Sequence, residues 1–147
     1  MYSPARRVAW PAASILGAGM LLCSCAMYSV AGQFENGGGA FFGHVAVLPL
    51  DMGTLDVETA DGTIKCSGST QVTKRPSLVS IIGAQGRAEA ACNDGRTFKL
   101  DFVQTTESGG HGQGIDNLGN IVQVYFDMSG PAVRARLDQA RLDALVQ

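Results

Sequence analysis

Hydrophobic and polar residues alternate with a period of two along most of the chain after residue 40, and turn dipeptides interrupt the alternation. In "TLDVETADGTIKCSG" the apolar Leu55 and Val57 alternate with polar residues, Asp61-Gly62 follows, and Cys66 resumes the apolar face. Such alternation predicts a β-hairpin, and an Asp-Gly pair between two strands favours a two-residue type I′ turn.

Two further segments follow the same pattern. "GRAEAACNDGRTFKLDF" turns at Asp94-Gly95, and "GQGIDNLGNIVQVYF" turns over 117–120. The residues predicted to face inward in these two hairpins are Ala88, Ala90, Cys92, Phe98, Leu100, Phe102, Val122, Val124 and Phe126. "AFFGHVAVLPL" predicts another strand, and "KRPSLVSII" predicts a strand or covering loop between the first two hairpins. We therefore predict an all-β fold, a small antiparallel meander or barrel-like sheet of about 6–8 strands.

The last residues, 129–147, differ in kind from the rest. Ser129 is a suitable N-cap and Pro131 falls in the first turn, which together predict the start of one C-terminal α-helix. Its apolar residues are Val133, Leu137, Leu142, Leu145 and Val146. We expect this amphipathic helix to cover an edge or open end of the sheet, and a partner-binding helix is the alternative.

The N-terminus has the pattern of an export signal. Arg6 and Arg7 precede an apolar stretch over 8–22, which is followed by a pair of cysteines, Cys23 and Cys25. As a helix this stretch would be about 22 Å long, shorter than the roughly 30 Å hydrocarbon core of a bilayer. A signal peptide is therefore favoured over a permanent membrane span.

The segment Leu22-Cys23-Ser24-Cys25 resembles the lipobox of bacterial lipoproteins, with an aliphatic residue three positions before the cysteine that is modified. The resemblance implies that 1–24 is a lipoprotein signal peptide and that Cys25 carries three acyl chains, an effectively permanent anchor. Ala26 in place of aspartate favours the periplasmic face of the outer membrane. The alternative is an ordinary secretory signal that is cleaved after Ala26 or Ala31.

The anchor hypothesis divides the remaining chain into three parts. Residues 25–39, which contain three consecutive glycines, are predicted to be the lipidated cysteine and a flexible tether. Residues 40–128 form the β domain, and 129–147 form the helix. An exported chain would keep Cys66 and Cys92, an even pair that predicts one disulfide. A redox or catalytic thiol is disfavoured because there is no C-x-x-C spacing.

One candidate binding segment is the glycine-rich "SGGHGQG" at 108–114. Its candidate ligand-loop residues are Gly109, Gly110, His111, Gly112 and Gly114. It lacks the strand-loop-helix context of a dinucleotide site and the lysine of a P-loop, so a strand or bulge whose glycines avoid neighbouring backbone is favoured. A metal site combining His44 or His111 with Asp116 or Asp127 would lack diagnostic spacing, so we predict no metal and no cofactor.

Residues 53–126, with C-x-G at Cys66 and C-x-D-G-R at Cys92, resemble small uncharacterised bacterial lipoproteins. The net charge of −2 and scattered basic residues argue against nucleic acid as a partner. We predict a non-enzymatic envelope lipoprotein with a structural or interaction role, whose partners are the lipid bilayer through Cys25 and an envelope protein. The alternative is a module that binds a small ligand or metal through 108–114, and a hydrolase has the least support because no G-x-S-x-G is present.

Overall fold

The computed structural model describes residues 25–35 and 39–146, which form a closed β-barrel with one helix packed outside it. Every strand pairs antiparallel with its successor, and β1 pairs with β8 to close the barrel. The elements are β1 Met27–Phe34, β2 Gly39–Val47, β3 Met52–Thr59, β4 Lys65–Lys74, β5 Gln85–Cys92, β6 Thr97–Gln104, β7 Gly109–Asp116, β8 Ile121–Asp127 and α1 Gly130–Leu145. The predicted all-β class and C-terminal helix are confirmed, and closure of the sheet is the more specific finding.

The barrel interior is the main hydrophobic core, as the alternation in the sequence predicts. The buried apolar side chains that fill it are Val30, Phe34, Phe41, Leu55, Val57, Cys66, Ala88, Ala90, Phe98, Leu100, Val122 and Val124. Three aromatic rings pack together inside: the centroid of Phe34 lies 4.9 Å from that of Phe41 and 5.9 Å from that of Phe98. These rings fill one half of the barrel.

The three predicted hairpins are present, but the predicted type I′ turn is wrong. Only the glycine of each turn, Gly62, Gly95 and Gly119, has positive φ, whereas a type I′ turn needs positive φ at both central residues. Each glycine N–H donates to the carbonyl three residues earlier, at Thr59, Cys92 and Asp116 respectively. The turns are therefore longer than two residues, and glycine supplies the left-handed position that ends each of them.

The prediction of a flexible tether over 25–39 is wrong, because Met27–Phe34 is strand β1. The barrel therefore starts at Met27 and not at residue 40. β1 pairs with β2 on one side and with β8 on the other. Val30 and Phe34 point into the barrel, while Ala31 is fully buried on the outer face beneath α1. Because both faces of β1 are covered, its sequence lacks the alternation that marks the other strands.

The glycine-rich segment 108–114 is also not a loop, because Gly109–Asp116 is strand β7. A side chain at Gly110 would overlap the carbonyl of Val103 and the ring of Phe126. A side chain at Gly114 would overlap the backbone of Lys99 and Leu100. The favoured prediction for this segment, a strand whose glycines avoid neighbouring backbone, is therefore confirmed.

Helix α1 lies on the outside of the barrel across β1 and β8. Ser129 is its N-cap, as predicted, and the Ser129 hydroxyl accepts a hydrogen bond from the Ala132 N–H (3.4 Å). Val133 and Leu137 are buried against Ala31. The apolar residues of the last turn, Leu142, Leu145 and Val146, are exposed, so the predicted apolar face is covered only in its first half. Among the described residues, no helix is long and apolar enough to cross a membrane.

The predicted disulfide between Cys66 and Cys92 is confirmed. The two cysteines lie directly opposite each other on β4 and β5. Their sequence separation is 26 residues, and closing a loop of that size stabilises a fold by roughly 3–4 kcal/mol in the chain-entropy treatment. The bond joins two of the hairpins, so it fixes their mutual register.

Candidate ligand cavity

The two ends of the barrel differ in construction. At the end that we call the closed end, loops 60–64, 93–96 and 117–120 connect the strands. Asn93 links the first two of these loops, since its side chain accepts from the Lys65 N–H (3.0 Å) and donates to the Thr63 carbonyl (3.0 Å). Asn117 makes the equivalent bonds to Thr97 and Gly95. The closed end is therefore held together by hydrogen bonds between successive loops.

A largely buried arginine seals the closed end. The Arg96 guanidinium lies 4.5 Å from the ring centroid of Phe34, in cation–π geometry. Its Nε lies 3.8 Å from an oxygen of Asp116, whose carboxylate is fully buried, and an Nη lies 3.4 Å from Asp94. This layer covers the aromatic rings of the core and separates them from solvent.

Several hydrogen bonds keep the buried Asp116 ionised. Burial by itself raises the pKa of Asp116, but donors from the side chain and backbone of Asn120 and the backbone of Leu118, together with the charge of Arg96, lower the pKa below its usual range. The carboxylate Oδ1 accepts from the Leu118 N–H (2.9 Å) and the Asn120 N–H (2.8 Å). Asp116 therefore shapes the 117–120 turn and does not face a ligand.

The opposite end, which we call the open rim, contains a cavity of about 150 Å³ inside the barrel. Apolar side chains from strands β1 to β6 and β8 line most of it, among them Tyr28, Val30, Val45, Leu55, Val72, Ala88, Leu100, Phe102, Val124 and Phe126. Aromatic rings form one wall, where the centroid of Phe126 lies 5.9 Å from Tyr28 and 5.7 Å from Phe102. Such a surface suits an apolar molecule.

An ion pair stands at the mouth of this cavity. Arg75 donates to both carboxylate oxygens of Asp51, with an Nε–Oδ2 distance of 3.1 Å for one of the two bonds. The hydrogen bond from Arg75, assisted by its charge and opposed by burial, lowers the pKa of Asp51. Both residues line the cavity, with Thr70 and Gln104 as further polar groups. A bound molecule with one polar end would therefore meet its polar partners here.

Loop 75–84, between β4 and β5, runs across the open rim. Ile81 and Ala84 line the cavity, whereas Leu78 and Val79 are 100% and 96% exposed. The loop returns to the barrel through Gly83 and Ala84, which exchange backbone hydrogen bonds with Gln104 (2.7 and 2.9 Å). The predicted covering loop between the first two hairpins thus closes part of the cavity mouth and presents apolar side chains on both of its faces.

The candidate site residues predicted from the sequence lie elsewhere. His111 and His44 are exposed on the outer face of β7 and β2. Asp116 is at the closed end, while Asp127 is near the open rim, where it accepts from Ser108 and Ser129. Within residues 25–35 and 39–146, no group of three or more metal-ligating side chains is found. In the same part of the chain, no residue of β7 lines the cavity.

Cys25, the predicted lipidation site, is exposed at the open rim, two residues before β1. The carbonyl of the next residue, Ala26, accepts a hydrogen bond from the Val47 N–H (2.9 Å), which fixes this short segment to the end of β2. The predicted signal peptide, 1–24, lies outside the described residues. Position 25 is thus held close to the cavity mouth.

No protein-family model and no curated protein matches this chain. Two solved structures are similar to it. One is described as the de novo design of a fluorescence-activating β-barrel (TM-score 0.51, 14% identity, covering 71% of this chain and 93% of that chain). The other is a redesigned β-barrel (TM-score 0.53, 12% identity, covering 70% and 89%). At these identities the similarity shows the barrel fold alone.

Proposed function

We propose that this chain is a lipid-anchored protein of the bacterial cell envelope, at the periplasmic face of the outer membrane, whose barrel binds a small apolar molecule without chemical conversion. The observation that carries the proposal is the apolar cavity at the open rim. Eight-stranded barrels are of the size that either fills with side chains or holds one small ligand. Here the closed half is filled by aromatic rings and the open half is not.

The volume of the cavity limits the ligand. A cavity of about 150 Å³ is comparable with engineered apolar cavities that bind benzene, and is smaller than the roughly 300–1,000 Å³ of sites for drug-sized ligands. A single aromatic ring or the terminal part of one acyl chain fits this size. The Asp51–Arg75 pair at the mouth would contact a polar end group of such a molecule.

The envelope location rests on the lipobox-like segment that ends at Cys25 and on the exposure of that cysteine. The disulfide between Cys66 and Cys92 supports export, because disulfides persist in oxidising compartments. An alternative is an interaction role, in which an envelope protein binds the exposed end of α1 at Leu142, Leu145 and Val146. The two functions are distinguished by a test for ligand binding inside the barrel, which only the first of them requires.

Thermal unfolding of the full chain with and without toluene or octanoate tests the cavity. A ligand at one hundred times its Kd stabilises the folded state by about 2.7 kcal/mol, so we expect an increase in Tm. Ala88→Leu, at a buried position that lines the cavity, should fill it and abolish the increase. Ser69→Leu, at an exposed position on the neighbouring strand, is the matched control and should keep the increase.

Circular dichroism of Ala88→Leu must show a folded barrel, because added volume in a core costs about 1–3 kcal/mol. An equal Tm increase in the wild type and in folded Ala88→Leu would show that the ligand binds outside the cavity. No increase in the wild type with either ligand would contradict the proposed binding of this class of molecule.

A further inference from the structure

The open rim carries exposed apolar side chains from two loops and the strand ends beside them. These residues are Leu48, Leu50, Met52, Leu78, Val79 and Ile82. Exposed apolar side chains grouped on one surface mark interaction sites with proteins or membranes. The barrel itself exposes fewer such side chains at the closed end, Ile115 and Leu118, and the end of α1 adds Leu142, Leu145 and Val146 there.

The two rim loops are joined, so their apolar side chains form one surface. The Asp51–Arg75 ion pair connects loop 48–51 with loop 75–84, and the Val72 N–H donates to the Asp51 carbonyl (2.8 Å). Leu50 and Asp51 have φ of 67° and 62°, which is uncommon for residues other than glycine. The fold thus accepts backbone strain to present Leu50, 89% exposed, at the tip of its loop.

We propose that the open rim is a membrane-contact surface that seats the barrel end-on against the bilayer. This inference rests on the proposed anchor at Cys25, which lies at the same rim with no tether between it and β1. Acyl chains attached there bring the rim to the lipid surface, and Leu50, Leu78 and Val79 are the side chains that enter it. A lipid surface is the occupant that the anchor position selects.

This orientation gives the cavity a source of ligand. Loop 75–84 lies between the two environments, since Ile81 contacts the cavity while Leu78 and Val79 face the bilayer. An apolar molecule dissolved in the membrane would then reach the cavity without crossing water. At the rim the charge of Arg75 is paired with Asp51, and the chain as a whole carries a net charge of −2, so apolar contact and not attraction to anionic headgroups holds the rim.

Bromine quenching of single tryptophans tests the orientation. The full-length chain is expressed in bacteria and purified from their membranes, and Trp10→Phe removes its one native tryptophan from any chain that keeps 1–24. It is reconstituted into phosphatidylcholine vesicles that contain brominated lipid. We expect at least twofold stronger quenching for Leu78→Trp at the rim than for Leu118→Trp at the closed end. Both positions are exposed, Leu78 to 100% and Leu118 to 68% of the residue's surface.

Equal quenching at the two positions, or stronger quenching at 118, would overturn the end-on orientation. The intact mass of the same sample decides the anchor separately, because three acyl chains add a large, defined mass. A chain without acyl groups would refute the anchor. Quenching at position 78 when vesicles are added to that chain would still test whether the rim contacts the membrane. Vesicles with phosphatidylglycerol should give the same ratio, and a ratio that appears only with them would contradict apolar contact.

Discussion

Single residues at the two ends of the barrel explain why one end is closed and the other open. At the closed end, Arg96 covers the ring of Phe34 and pairs with the buried Asp116. At the open rim, the Arg75–Asp51 pair is partly exposed and lines the mouth of the cavity. The same pairing of arginine with aspartate thus closes one end and lines the mouth of the other.

Asp116→Asn should lower the free energy of unfolding and should make that free energy depend less on pH in the acid range. Because the folded-state pKa of Asp116 is lowered, its ionised form stabilises the barrel above the ordinary carboxyl pKa of about 3.9, and this contribution is lost as the pH falls through the lowered value. We expect the variant to lose about 1–3 kcal/mol of unfolding free energy near pH 7. Urea unfolding from pH 7 down to pH 2 measures both effects.

Asp101→Asn is the control for this prediction. Asp101 lies on the outer face of β6 in an exposed ion pair with Arg87, and such pairs contribute little to stability. Its acid unfolding curve should follow that of the wild type. If Asp116→Asn retained the full acid dependence of the wild type, Asp116 would not be the carboxylate that responds.

At the scale of elements, helix α1 covers the seam where the first and last strands of the barrel meet. Val133 and Leu137 pack on Ala31 of β1 and Tyr125 of β8. Arg141 reaches further along β1 and donates to Gln33 (3.2 Å). The helix therefore contributes to stability at the pairing between strands that are farthest apart in sequence.

Leu137→Ala and Leu142→Ala, five residues apart on the helix, should differ sharply in their effect on stability. Leu137 is fully buried, so its truncation should lower the unfolding free energy by about 2–5 kcal/mol. Leu142 is 57% exposed, and its truncation should change stability by about 0.5 kcal/mol or less. Urea unfolding of both variants gives the comparison. Equal losses would mean that the helix does not dock on the barrel through Leu137.

The sequence predicts those elements whose two faces differ. The hairpins around Gly62 and Gly95 have one polar face and one apolar face, so their alternation is visible. Strand β1 has no visible alternation because the helix covers Ala31 and the barrel interior covers Val30, which removes the contrast between its two faces. Strand β7 resembles a loop because neighbouring backbone and aromatic rings occupy the space of its side chains.

At the scale of the whole molecule, closure of the barrel depends on a pairing that no local pattern predicts. Phe34 pairs with Val122 and Ser29 with Asp127, across most of the chain. The cavity likewise could not be predicted, because most of its lining residues are ordinary inward-facing side chains of seven strands. The disulfide was predictable, since its prediction follows from an even count of cysteines and the predicted export, and not from the path of the chain.

The two ends of the barrel differ. At the closed end, hydrogen bonds join loops 60–64, 93–96 and 117–120 to one another. The cavity, the covering loop 75–84 and Cys25 all lie at the other end. A lipid anchor at that end gives the proposed ligand site and the proposed membrane contact one common direction.

Methyl NMR of the full chain, titrated with octanoate, tests the binding of an apolar molecule in the barrel most directly. We expect chemical-shift changes that saturate together at Val30, Leu55 and Val124, which line the cavity, with Val133 and Leu137 on the buried side of the helix unchanged. Changes confined to Val133 and Leu137, or no change at the cavity methyls up to millimolar octanoate, would contradict binding in the barrel.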